Sequence, residues 1–599
     1  MTKPRFESSD LTAVNIEKLA ELFPAAVSEG KVNFDLLRTL LGDEVFGDEA
    51  YEFTWVGKRE AIREAGRPIR KTLRPCMDKS KNWDTTENLY IEGDNLDVLK
   101  LLHETYLGKV KMIYIDPPYN TGNDFVYNDD FAEDAEEYLE RTNQKDDQGQ
   151  RLSANKETSG RYHSDWLSMM YMRLKLARDL LADNGAIFIS IDDNEITNLR
   201  KICEEIFGES NFIAQFIWKK KQGGGNDSNH VVTEHEYILA FGRNISNLKL
   251  NLDKKYKLDD NLYPFKDEKG EYGLVTLDKS SIQFSQSLVF EITDKEGNKY
   301  MPRVVKGKQS CWRWSRAKVE AEFDSLVFKN EKVYTKYYRP DGVTPKSLLI
   351  DAIYGRTESG NDDIKKLFEI NPFSYPKPVD LVEHFISIMT SKTDTVLDFF
   401  SGSGTTAHAV MRLNSTDGES RRFIMIQLDE PTDEKKDGYK AGYKTIPEIG
   451  RERIRRAGKQ MSKGDIGFRT LKLADSNMRE VFYNPSLYDQ SMILGLDKSI
   501  KEDRTAEDVL FQVMLDKGVK LCSKIEKRNG YYIVGSSEHG LVDLICSFEK
   551  IDLDKIKEIA KLQPECAVFL DSQIKDDATR TNIQQIFKTY SPKTKVEVL

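Results

Sequence analysis

The apolar run Met112–Ile115, followed at once by Asp116, Pro117, Pro118 and Tyr119, constrains this chain more than any other stretch. Four apolar residues in succession suit a parallel strand covered on both faces, and two consecutive prolines forbid further ladder pairing. The strand therefore ends at Asp116, and open α/β sheets hold their ligands at such carboxyl ends. Taken alone, the Pro-Pro step suits a surface turn equally well.

The tetrapeptide suits transfer of a methyl group to an exocyclic amino nitrogen of a base. Such a nitrogen is a poor nucleophile, because its lone pair is delocalised into the ring. The Asp116 carboxylate accepting one N–H and the Pro117 carbonyl accepting the other would orient the lone pair, and proline fixes φ so that the carbonyl stays in place. Tyr119 would stack on a base turned out of the duplex. A second stretch, Val396–Thr406 (VLDFFSGSGTT), reads as a strand, a glycine turn and a helix start. Gly402 and Gly404 permit a tight turn and close backbone approach, and Thr405 and Thr406 open a helix whose free N–H groups face a ligand. A lone Gly-x-Gly is weak, and this one lacks the third glycine of a dinucleotide fingerprint. The two stretches together are strong.

The pair resembles the S-adenosylmethionine-dependent amino-methyltransferases of DNA, whose Asp-x-Phe-x-Gly-x-Gly loop is matched by Asp398, Phe400, Gly402 and Gly404. Asp116 precedes Asp398 by 282 residues, too many for a loop inside one compact domain. That order resembles the circularly permuted beta group, with a target-recognition domain between the halves. Asn82–Leu102 (NWDTTENLYIEGDNLDVLKLL), Asp116–Phe131 and Phe373–Ile386 (FSYPKPVDLVEHFI) are similar to the modification (Mod) subunit of type III restriction-modification systems, over nearly the whole chain. The resemblance implies a Rossmann-like α/β methyltransferase fold using S-adenosylmethionine on double-stranded DNA. It also implies a homodimer, a restriction (helicase-nuclease) subunit as partner, and a bacterial cytoplasmic setting. It places Asp94 near the cofactor's adenine end, Lys377 and Pro378 on its methionine side, and Gln427 where the wider family carries an acid for the ribose hydroxyls. Asp94 serves equally well as a helix cap.

With 599 residues and 39% hydrophobic content, several domains can each bury a core. No stretch has the apolar length of a membrane span, and the N-terminus lacks the apolar core of a secretory signal. Six scattered cysteines without a Cys-x-x-Cys pair read as reduced thiols, and no metal is expected. The net charge of −10 runs against nucleic-acid binding unless basic surface is concentrated locally, and it predicts steep salt dependence.

Along the chain, residues 1–80 read as a helical extension and 81–245 as the catalytic half. Residues 246–370 read as the target-recognition domain, 371–470 as the cofactor half, and 471–599 as a small α/β interaction domain. A helix is expected over Ser164–Ala182, capped by Ser164 or Asp165 and ended by Gly185, and a capping turn at Asp192–Glu195. Residues 142–160 are almost devoid of apolar side chains and are expected to be mobile until DNA binds. The candidate DNA contacts are Asn120, Phe125 as pocket wall, Lys219 and Lys220 in a glycine-rich loop, and Arg313, Arg316, Lys336 and Arg339 among aromatics. Trp312 and Trp314 fit a core at least as well as a contact surface.

The resulting expectation is adenine-N6 methylation at Asp116–Tyr119. Cytosine-N4 methylation presents the same geometry, and a DNA-reading scaffold for a helicase-nuclease is the rival of another class. A cytosine-C5 mechanism needs a cysteine nucleophile at the site; Cys76 follows Pro75, but in the expected helical extension.

Overall fold

The computed structural model describes residues 7–41, 52–121, 161–223, 230–479, 500–535 and 542–599, apart from single positions at 29, 257, 282, 306 and 575. It divides into two units: Leu252–Pro345, and the remainder of the chain.

The larger unit is built on a ten-stranded sheet. In chain order its strands are β1 (Lys71–Pro75), β2 (Leu89–Glu92), β3 (Val110–Ile115), β4 (Leu181–Ile191), β5 (Phe212–Lys219), β6 (His235–Gly242), β7 (Leu348–Leu349), β8 (Thr395–Asp398), β9 (Arg422–Gln427) and β10 (Arg469–Asp475). Across the sheet the order is β7-β5-β6-β4-β3-β8-β9-β2-β10-β1. The run from β4 through β10 is parallel, while β6 and β1 run antiparallel to their neighbours. Met112, Ile113, Tyr114 and Ile115 are all buried, as a strand covered on both faces requires. Each such side chain contributes about 1.5–3 kcal/mol on burial, which fixes the strand that carries Asp116.

Helices α1 (Asn95–Tyr106), α2 (Tyr162–Leu180) and α3 (Ile196–Phe207) pack on one face with Ile113 and Ile115. On the other face α4 (Val379–Met389), α5 (Thr405–Asp417) and α6 (Ile446–Gln460) pack against Met112 and Tyr114. The fold is thus the three-layer α/β arrangement expected. The strand order also bears out the permutation: β3 and β8 are neighbours, with Val396 opposite Met112 and Leu397 opposite Ile113. From β3 the chain goes on to β4 on one side, and from β8 to β9 on the other. Asp116 and Asp398 therefore flank the point where the winding reverses, where doubly wound sheets bind ligands.

Three local expectations need correction. Helix α2 begins at Tyr162, with Arg161 at its N-cap and no side-chain cap from Ser164 or Asp165, and it yields directly to β4 at Leu181. Gly185 lies inside β4, where a Cβ would stand 3.0 Å from the Val110 carbonyl oxygen. The stretch before residue 80 is not wholly helical either, since Lys71–Pro75 forms edge strand β1 and Cys76 follows a strand after all. Three strands separate β1 from β8, and burial pushes the Cys76 thiol up, so it is not an activated nucleophile.

A five-stranded sheet follows residue 500, with strands Ile525–Arg528, Tyr531–Val534, Leu544–Ser547, Cys566–Phe569 and Lys595–Val598 in that order. One face is covered by the helices Leu553–Lys561 and Asp577–Tyr590, and the other joins the main core through Val509, Leu510 and Val513.

The smaller unit holds a four-stranded antiparallel sheet of Phe265–Asp267, Gly270–Thr276, Leu326–Lys329 and Lys332–Tyr338. Its core includes Leu277, Phe290, Trp312 and Val333. The chain enters and leaves this unit side by side: Asp253 and Val343 exchange backbone hydrogen bonds of 2.7 and 3.0 Å. Residues 346–370, which composition groups with the insertion, lie in the larger unit, where Leu348 and Leu349 pair with β5.

Candidate active site

Asp116 leaves β3 into a set of buried charges. Lys377, on the segment entering α4, donates to both Asp116 carboxylate oxygens at 2.9 and 3.0 Å and to Tyr119 Oη at 2.8 Å. The Tyr119 hydroxyl donates to Glu236 Oε2 at 3.1 Å, and Lys220 Nζ donates to Glu236 Oε1 at 3.0 Å. Burial pushes the Asp116 carboxyl up against the pull of Lys377. Burial also acts on Glu236, but Lys377 and Lys220 outweigh it and hold that carboxyl below the usual range. Lys377 is disfavoured by burial yet raised overall by Asp116 and Glu236, so the ammonium stays charged. Tyr119 is raised well above an ordinary phenol by burial and by the two carboxylates, and stays neutral.

The backbone of the tetrapeptide is differentiated. The Trp166 indole N–H, on α2, donates to the Pro118 carbonyl at 2.8 Å. Among the described residues no donor reaches the Pro117 carbonyl. Asn120 adopts a left-handed φ of 60° and is held from behind, its side-chain amide donating to Glu195 Oε1 at 2.6 Å. Fully buried Glu195 also takes His163 Nδ1 at 2.6 Å and the Asn198 amide at 2.8 Å. The turn expected at Asp192–Glu195 is present, with the Asn194 N–H donating to Asp192 Oδ1 at 2.9 Å, but Glu195 stands at the N-cap of α3 without a side-chain cap bond. Asn120, expected as a DNA contact, spends its amide inside the protein.

At the end of β8, Asp398 accepts the Phe400 N–H at 3.0 Å and the Thr406 hydroxyl at 2.6 Å, closing the glycine turn on itself. Gly402 and Gly404 sit at φ 49° and 78°, a region that disfavours side chains. A Cβ on Gly404 would stand 3.2 Å from the Gly450 carbonyl of α6. Fully buried Arg453, also on α6, donates to Ser403 Oγ and Thr405 Oγ1, both at 2.7 Å, and burial lowers its guanidinium to about 10. Sequence reading missed this brace; its only signal was a basic residue on the apolar stripe of α6. Gln427 gives its amide oxygen to the Gly402 N–H at 2.7 Å, so it supports the loop itself. Asp94 caps α1 by accepting from Leu96 N and Asp97 N, and Arg173 reaches it at 3.4 Å. Pro378 is the N-cap residue of α4.

Asp398 and Asp116 bear on each other. Burial first, with the Asp116 charge adding to it, pushes the Asp398 carboxyl up to about 7. Two acids at adjoining strand ends make a place that a cation relieves.

Of the remaining candidate contacts, some lie outside the described residues and the others have partners within the protein. Phe125 lies outside the described residues, as do Phe131 and the 142–160 segment. Lys219 is 3.6 Å from Glu234. In the smaller unit Arg313 braces the fold, donating to Thr276 O at 3.1 Å and Thr335 Oγ1 at 2.8 Å. Lys336 pairs with Asp267 at 2.6 Å, Arg339 with Asp260 at 2.6 Å and Glu271 at 2.9 Å, and Arg316 lies over the Phe290 ring. Trp312 is buried in the core of that unit.

A family model described as DNA methylase matches residues 110–432, spanning both motifs. The chain is 33% identical to the type III restriction-modification enzyme EcoPI Mod subunit of Escherichia phage P1, over 78% of this chain and 79% of that one. It is 33% identical to the EcoP15I Mod subunit of Escherichia coli over 78% of each. It is 36% identical to the StyLTI Mod subunit of Salmonella typhimurium, over 71% of this chain and 66% of that one.

Proposed function

Because the chain belongs to the DNA methylases, and among them to the Mod subunits of type III restriction-modification enzymes, we propose that it methylates N6 of an adenine turned out of double-stranded DNA. The observation that carries this reading is the pair of acceptors at the end of β3, the Asp116 carboxylate and the Pro117 carbonyl, the latter without a donor among the described residues.

An exocyclic amine offers two N–H donors, which these two oxygens hold in fixed directions, leaving the nitrogen lone pair free to face a methyl donor. S-Adenosylmethionine supplies the electrophilic methyl on its sulfonium. The residues present fit that cofactor: the Gly402–Gly404 turn follows β8, the strand beside the one that ends at Asp116, and the Asp398 and Asp116 carboxyls favour a cation. As the amine gains carbon it sheds a proton, and the Asp116 carboxylate oxygen is the base placed to take it. Neutral Tyr119 offers its ring to the base as a stacking face. The inserted unit reads the target sequence, residues 471–599 bind a second copy or the restriction subunit, and the protein works as a homodimer in the bacterial cytoplasm. Among the described residues no helix is long and apolar enough to cross a membrane.

The titration of Asp398 has a direct consequence for cofactor affinity. A carboxyl raised to about 7 is largely protonated at pH 6 and ionised at pH 8, and only the ionised form attracts a cation. S-Adenosylmethionine binding, followed by calorimetry, is therefore expected to tighten as pH rises from 6 to 8 and to level off above. The slope is at most about tenfold per pH unit for one linked proton. Asp398→Asn is expected to flatten that profile, and an unchanged slope in the variant would refute the assignment.

The test of the function itself is incubation with S-adenosylmethionine and unmethylated genomic DNA, then base-resolved mapping. N6-methyladenine at one recurring short sequence is expected; N4-methylcytosine would overturn the base assignment. The Asp116 and Pro117 oxygens serve either amine, so this experiment decides between them.

A further inference from the structure

Glu236 reaches the site from outside both motifs. It lies at the start of β6, two strands from β3, and is the only acid in the strand His235–Gly242. Its carboxylate is buried, takes the Tyr119 hydroxyl and Lys220, and stands 3.5 Å from Lys377 Nζ. Lys377 is therefore suspended between two carboxylates, hydrogen-bonded to Asp116 and just beyond bonding distance of Glu236.

Both oxygens of Asp116 are occupied by that one ammonium, an N–H donor standing where the N–H of a target amine has to arrive. The two cannot hold Asp116 in the same way at once. Moving a buried cation off its partner without a second counter-ion is strongly unfavourable. A lysine carries its charge on a flexible four-carbon stem, so a shift of well under about 1 Å brings it onto Glu236 at ordinary bonding distance. We propose that Glu236 is a positioning residue for methyl transfer, the counter-ion to which Lys377 withdraws when the amino group of the target base takes its place on Asp116.

This role rests on the methyltransferase reading above and makes a demand specific to the amine. With Glu236→Gln the ammonium keeps, among the described residues, only Asp116 as a charged partner, so an incoming amino group competes against a stronger pair. A target base without an amino group has no such competitor. Full-length wild type and E236Q are compared for binding to two duplexes carrying the mapped site, one with adenine at the target and one with purine lacking the amino group. E236Q is expected to weaken the adenine duplex about tenfold and the purine duplex by less than about threefold.

A residue that merely braced Tyr119 or Lys220 would weaken both alike. Equal losses, or none, overturn the proposal. If the glutamine variant does not fold, Glu236→Asp carries the test. Its carboxylate is retracted by one methylene, so a smaller but still adenine-selective loss is expected and an equal loss is again fatal. Methylation of the adenine duplex by wild type, run in parallel, separates the two claims. No methylation by wild type refutes the methyltransferase reading, whereas methylation with equal binding losses refutes only the role of Glu236.

Discussion

Asp116→Ala is expected to abolish methyl transfer, lowering the rate by at least about a thousandfold, while binding to the mapped DNA site stays within about threefold of wild type. The alanine removes the acceptor that orients the amine and the base that takes its proton. It leaves Pro117 O as the sole oriented acceptor, and one acceptor does not fix a lone pair. The fold should survive, because Asp116 lies beyond the last ladder pair of β3 and Lys377 keeps Glu236 as a partner at 3.5 Å. Tritium transfer from labelled cofactor and electrophoretic mobility shift read the two quantities separately. Residual transfer near the wild-type rate would refute the mechanism, and loss of DNA binding would show that Asp116 holds more than the amine.

The second large effect is expected from a residue outside both motifs. Gly360 lies in the helix Thr357–Phe368, and a Cβ there would stand 2.0 Å from the Pro376 carbonyl oxygen and 3.1 Å from the Lys377 carbonyl carbon. The segment that delivers Lys377 to Asp116 rides directly on the backbone of this helix, so even one methyl group must lift it. Gly360→Ala is expected to cost about 2–3 kcal/mol of stability, the range of an overpacked core. Methylation should fall about ten- to a hundredfold, because misplacing a positioning group by an ångström is enough for that. Gly442→Ala is the matched control. Its φ of 98° is strained for alanine, but no atom lies within 4 Å of the added Cβ. It should cost about 1 kcal/mol without changing turnover. A Gly360→Ala protein as stable and active as wild type would show that the Lys377 segment is not held by this contact.

The elements on which the site stands were legible because their signals are local. An apolar run stopped by Pro117 and Pro118 has few readings, and a strand leading into Gly402 and Gly404 has few more. The position of Met112–Ile115 follows from unbroken apolar character, as a strand buried on both faces favours, and the cores of β4 (Ala186–Ile189) and β9 (Phe423–Ile426) carry the same signal. The charges that work at the site were not legible in the same way. Glu236 reads as a polar start to an amphipathic strand, and nothing within ten residues of it mentions Tyr119 or Lys377. Glu195 reads as a helix cap because acids before helices usually are. Its actual partners, Asn120 and His163, are set by how α2 and α3 pack, which periodicity does not report. Gln427 reads as a substitute for a ribose-binding acid, and that its oxygen also takes the Gly402 N–H is set by how the glycine turn folds back on β9. Propensity names the element; which side chain meets which is decided by the fold.

The smaller unit adds one thing that neither motif does. Its two ends are stapled to each other by the reciprocal Asp253–Val343 backbone pair, so the chain leaves and rejoins the larger unit at a single doorway one residue pair wide. A hydrogen-bonded antiparallel pair sets its two backbones about 5.5 Å apart, and any folded module whose ends meet at that spacing satisfies the doorway. The insertion is thereby a cassette. What lies between the two ends can be lengthened, shortened or exchanged while they still meet at that spacing, so a sequence-reading role of the kind proposed for this unit would be free to change by substitution of the module alone.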